Sequence, residues 1–128
     1  MEALVATALG CVRVDLDDGE AVLVDDEPPE PQAVELSLPL VVTAHQAGPR
    51  IAAVVERRPP LLLSDDGGLS WREAGGGLPA GAAIAIAEDD PDLLLYASEA
   101  RLYVSEDGGL FWRSLPPELI GITAVAFS

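Results

Sequence analysis

Lysine is absent from this chain, and cysteine and histidine occur once each, as Cys11 and His45. Seven arginines face 22 acidic residues, giving a formal net charge of −15 and an isoelectric point near 4.1. A surface of that sign repels phosphate backbones, so nucleic acid is not an expected partner, and the acidic surplus reads first as a device for solubility. A single cysteine closes no intrachain disulfide, and a reduced thiol points to a cytoplasmic setting. One histidine without companions makes neither a metal set nor a triad, so no metal, cofactor or catalytic residue is expected. Aromatic residues are only 5% of the chain, which leaves small and β-branched aliphatics to fill the core of a sequence that is 49% apolar. No run approaches the roughly 18 apolar residues that would span a bilayer. Met1-Glu2 lacks the basic start of a signal peptide.

What is present is a repeat. Ser64-Asp65-Asp66-Gly67-Gly68-Leu69-Ser70-Trp71 and Ser105-Glu106-Asp107-Gly108-Gly109-Leu110-Phe111-Trp112 lie 41 residues apart and share the frame S-x-D-x-G-x-x-W. Each position has a local task in a hairpin. The carboxylates of Asp66 and Asp107 can accept hydrogen bonds from main-chain N–H groups in the turn. The glycines allow the positive φ that such turns demand. Ser64 and Ser105 can pin the preceding strand, while Trp71 and Trp112 return the chain to an apolar layer. A period near 40 with one such turn per copy is the spacing of four-stranded propeller blades.

The two octapeptides resemble the Asp-box, or BNR, repeat at all four defining positions: Ser64, Asp66, Gly68 and Trp71, then Ser105, Asp107, Gly109 and Trp112. Such boxes occur in sialidases, in the photosystem II assembly factor family and in sortilin-type receptors. The resemblance implies a β-propeller in which the box is structural and function lies on the opposite face. It does not choose among ligands.

Ninety residues before Ser105 the frame recurs in weaker form, with Asp15, Asp17 and Gly19 in the serine, aspartate and glycine places. Ala3 to Val14 then lies over Leu93 to Val104 without a gap. With strands lettered A to D from the innermost outward, the chain reads BCD-ABCD-ABCD-A, a single all-β domain over residues 1–128. The copies are 1–25, 41–74 and 82–115, with Ile122 to Ser128 left as an A strand without its own blade. Three blades fall below the usual range of roughly four to eight. The expected assembly is therefore a six-bladed homodimer in which each chain lends residues 122–128 to the first blade of its partner, the alternatives being a nine-bladed trimer or a part of a longer propeller chain.

Residues 25–40, acidic and proline-rich at first, interrupt the repeat. Trp71 to Ala83 and Trp112 to Ala124 are each 12 positions, whereas Val22 to Val42 is 20. The extra length reads either as a hairpin using Ala33 to Leu38 as strand or as a loop over one face. On the face away from the boxes, the exposed ligand candidates are Arg57 and Arg58 at one B to C turn and Glu99 and Arg101 at the next. Arg57 and Arg58 can clamp a carboxylate. His45 falls near the end of an A strand, close to the expected channel. The acidic cluster around Asp15 and Asp17 puts its glycine one place early for a calcium loop, so a turn explains it better.

The expected function is a non-enzymatic binding or assembly scaffold for a protein or glycan. The alternative is a sialidase-like hydrolase or lectin. That resemblance would need an arginine triad and a tyrosine nucleophile, and only Pro49-Arg50-Ile51 suggests its arginine motif.

Overall fold

Runs such as Leu61-Leu62-Leu63 and Ala83-Ile84-Ala85-Ile86-Ala87 have no polar alternate residues, so strands made from them need cover on both faces. In the computed structural model, which describes residues 1–128, they form three four-stranded antiparallel sheets and no helix. Sheet 1 contains β1 (Glu2–Thr7), β2 (Gly10–Asp15), β3 (Ala21–Val24) and β12 (Ala124–Phe127) in the order β12-β1-β2-β3. Sheet 2 runs β4 (Val41–Ala47), β5 (Arg50–Val55), β6 (Leu61–Ser64) and β7 (Arg72–Ala74). Sheet 3 runs β8 (Ala83–Ala87), β9 (Asp90–Ala97), β10 (Leu102–Ser105) and β11 (Arg113–Ser114).

Sheet 3 lies between the other two, with its innermost strand β8 against β4 on one side and β12 on the other. Side chains alternate across a strand, so sheet 3 feeds two cores. Ile84, Ile86, Leu94 and Tyr96 pack with Ala52, Val54, Leu61 and Leu63 of sheet 2. Ala83, Ala85, Leu95, Leu102 and Val104 pack with Val5, Val12, Val14 and Val125 of sheet 1.

Three sequence expectations change. The first is strand exchange. β12 pairs with β1 of its own chain, Val125 opposite Val5 and Phe127 opposite Ala3, so the first sheet is four-stranded within a single chain. The second is the alignment of the first copy. Ile84 faces Tyr96 in sheet 3 and Val125 faces Val5 in sheet 1; Tyr96 faces Tyr103 and Val5 faces Val12. Ladder partners therefore set the copies 91 positions apart, Val5 in the place of Tyr96 and Val14 in the place of Ser105. One residue of slip reverses every side chain. Asp15 and Asp17 consequently do not stand in the serine and aspartate places, which belong to Val14 and Leu16, both fully buried.

The third concerns the interruption. Ala33 to Leu38 forms no strand. Its length has a topological cause, because the outermost strand β3 of sheet 1 must be joined to the innermost strand β4 of sheet 2 with sheet 3 standing between them. Glu30, Pro31 and Gln32 run along a groove lined by Thr43 of β4, Ile84 of β8 and Val125 of β12. The connection thus crosses all three inner strands.

Leu95 is fully buried between sheets 3 and 1, whereas Leu69 at a turn tip is 89% exposed. Leu95→Ala should destabilise by about 2–5 kcal/mol in urea unfolding, and Leu69→Ala by no more than about 0.5 kcal/mol.

Candidate functional site

The two octapeptide turns close in the same way. Ser64 and Ser105 are buried polar side chains, and each is satisfied within its turn. Ser105 Oγ donates to Asp107 Oδ1 at 2.8 Å and accepts from Gly109 N–H at 2.9 Å. Ser64 Oγ likewise donates to Asp66 Oδ1 at 2.7 Å and accepts from Gly68 N–H at 2.8 Å. Gly68 and Gly109, at φ 97° and 91°, hold a conformation that a residue with Cβ adopts only with strain. The aspartates cap the far side of the turn. Asp66 accepts from Ser70 through its hydroxyl and its N–H, which together with Ser64 hold its carboxyl down at about 2. Asp107 accepts from Phe111 N–H at 3.0 Å and from Leu110 N–H at 3.2 Å, and these with Ser105 lower it too. Because both folded values are depressed, the turns contribute stability above the ordinary aspartate range and lose it as pH falls toward 2.

In sheet 1 the turn is built differently. Asp17 N–H donates to Asp15 Oδ1 and Glu20 N–H donates to Asp18 Oδ1, each at 2.8 Å, while Gly19 takes φ 79° beside Pro116. Trp112 stacks edge-on to Tyr96 with centroids 5.9 Å apart, as part of the core between sheets 2 and 3. Trp71 is half-buried near Gly68 and Ile51.

On the same side as the octapeptides, Arg50 joins sheets 2 and 3. Its guanidinium donates to Asp65 Oδ1 at 2.7 Å, to the Pro91 carbonyl at 2.6 Å and to Asp92 Oδ1 at 3.2 Å. Arg72 continues the network to Asp65 and to the Gly108 carbonyl. The sequence signal for this clamp was an arginine in one copy and an aspartate at the corresponding turn of the next, a pairing across copies that reading each motif singly does not reveal. Arg50 is thereby fully engaged by protein groups. Tyr96, buried and donating to the Pro79 carbonyl, is pushed up to about 12 by burial.

Arg57, Arg58 and Arg101 lie at the opposite ends of the strands. Arg57 and Arg58 are exposed, form no ion pair within 4 Å, and border a cleft of about 320 Å³ with Val55, Glu56, Pro60 and Ala80. Arg101 does not reach that cleft. It is half-buried and directed at the Leu115 carbonyl at 3.5 Å, while the Glu99 carbonyl accepts from Ile122 N–H. The four sequence candidates therefore divide into an open pair, Arg57 and Arg58, and a pair placed where sheet 3 meets the segment leading to β12.

His45 lies in the inner groove between β4 and β8, where its Nδ1 accepts from Ile86 N–H at 3.2 Å. That bond assigns the proton to Nε2. Burial lowers the His45 pKa, with Glu88 opposing. Comparison with family models, with curated proteins and with solved structures finds no match for the chain.

Two outcomes test these arrangements. Ser105→Ala leaves the buried Gly109 N–H without its acceptor and should cost about 1–3 kcal/mol in urea unfolding. Because the folded state of His45 binds its proton more weakly than the unfolded chain, its contribution is complete above about pH 6.5 and is lost as pH falls below that value. His45→Gln should remove that part of the pH dependence between pH 7.5 and 5.5, as read by urea midpoints.

Proposed function

We propose that this protein is a non-enzymatic assembly and binding scaffold of the Asp-box propeller type, completed to a six-bladed ring by a second copy of itself. The observation that carries the proposal is the open order of the sheets. Sheet 3 has a sheet on each side, but sheets 1 and 2 each have one face directed away from it. Both outward faces have the composition of faces that pack. On sheet 2 they present Ala44, Ile51, Ala53 and Leu62, and on sheet 1 Leu4, Ala6, Cys11 and Arg13. Two such arrays, joined face to face, leave no sheet without a neighbour. The cis pairing of β12 removes the need for exchanged strands, so the ring closes by docking of whole sheets.

Arg57 and Arg58 are the groups best placed to receive a ligand carboxylate, since no acidic side chain of this chain occupies them. The alternative sialidase-like reading is less supported. Arg50, which resembled that family's arginine motif, is committed to Asp65, Pro91 and Asp92, and Tyr96 is committed to Pro79.

Analytical ultracentrifugation at 1–100 μM, concentrations at about the range of many specific dimers, should show a monomer–dimer equilibrium. A monomer throughout would sink the ring. A fluorogenic sialoside assay supplies the second check: turnover abolished by Arg57→Ala would replace the scaffold with the hydrolase.

A further inference from the structure

The outward face of sheet 2 is buried although no sheet lies over it. Ala53 has no exposed surface, and Ala44, Ile51 and Leu62 retain at most 4%. The octapeptide turn and Trp71 account for Ile51, since a Cβ on Gly68 would lie 3.6 Å from Ile51 Cδ1 and 3.7 Å from the indole. Another part of the chain has to shield Ala44, Ala53 and Leu62. Residues 32–40 run beside β4 and are tied to sheet 2 at both ends. Gln46 N–H donates to Gln32 Oε1 at 2.6 Å, and Glu56 N–H donates to the Leu40 carbonyl at 2.9 Å. Between these ties the side chains alternate, with Val34, Leu36 and Leu38 half-buried and Glu35, Ser37 and Pro39 exposed. That alternation is the mark of an extended segment with one side against protein.

The same connection touches the outward face of sheet 1. Arg13 there pairs with Asp26 at 2.8 Å. By ladder position Arg13 corresponds to Val104, which packs into the neighbouring sheet in the interior junction. One segment therefore engages both surfaces that a second copy would use.

We infer that residues 32–40 are a displaceable cover on the outward face of sheet 2, and that the outward face of sheet 1 of a second copy is the partner that displaces it. This rests on the ring reading above. The cover has no backbone ladder to sheet 2, and the outward face of sheet 1 aligns Leu4, Ala6, Cys11, Ala124 and Ala126 on the side of the sheet that, in sheet 3, packs against a neighbouring sheet. Assembly is thus held back within each chain until a second copy is available.

The test is the double variant Leu36→Ser/Leu38→Ser, which weakens the cover and leaves every sheet residue intact. Far-ultraviolet circular dichroism checks that it folds. Sedimentation equilibrium should give a dimer dissociation constant at least about tenfold tighter than that of the parent chain, following the rule that removing a competing state raises apparent affinity by the fraction it occupied. An unchanged or weaker constant, with the parent chain dimerising, overturns the cover and leaves the ring standing. If the variant binds more anilinonaphthalene sulfonate but both proteins stay monomeric at 100 μM, a high concentration for a specific pair, the face is covered but receives no second copy, and both the competition and the ring fail.

Discussion

A sheet that is apolar on both faces cannot end a stack in water, and sheets 2 and 3 are of that kind, while sheet 1 departs from it only by Arg13 on its outward face. Everything else in the molecule answers this constraint. Sheet 3 satisfies it with neighbours on either side, which is why its strand β8, five small and branched residues without a polar one, is buried along its whole length. The outer two sheets meet it only in part with other sheets. Their remaining faces are where the chain departs from regular repetition, in the crossing segment and in Arg13.

Electrostatics is arranged around the same junctions. With 22 carboxylates and seven arginines, most cations are committed to holding one piece of backbone to another. Arg50 and Arg72 tie adjacent turns of sheets 2 and 3, Arg101 points at the Leu115 carbonyl just after β11, and Arg13 holds the connection. Such pairs near water are individually weak, so the apolar cores between the sheets supply most of the stability. Arg57, Arg58 and Arg113 are exposed and form no ion pair, and of these Arg57 and Arg58 border a cleft.

The all-β class and the two octapeptide hairpins were legible because serine, aspartate and glycine in that frame have turn chemistry independent of anything distant. The Ser105 and Asp107 side chains hydrogen-bond only to residues within four positions of themselves. The first copy was misaligned by one residue for an equally physical reason. Leu93-Leu94-Leu95-Tyr96-Ala97 is apolar on both faces, so it matches Ala3 to Thr7 about as well at a spacing of 90 as at 91, and the alternation that normally reports register carries no information. Whether β12 pairs in cis or in trans was also invisible, since both use the same ladder. The Arg57 and Arg58 pair could be named from sequence. That Arg101 turns inward could not, because it depends on the Leu115 carbonyl lying beside it.

The substitution of Val14 and Leu16 for the serine and aspartate of the other turns bears on how such a chain can be altered by recombination. Replacing two hydrogen-bonded partners together by apolar groups is far cheaper than replacing either alone, so a turn leaves its motif in one step or scarcely at all. Sheet 1 carries the apolar pair and the other two turns carry the hydrogen-bonded one. Its coding segment is no longer interchangeable with theirs: a crossover guided by motif similarity joins the copies one codon out of register, and the strand it creates carries its core side chains on the wrong side.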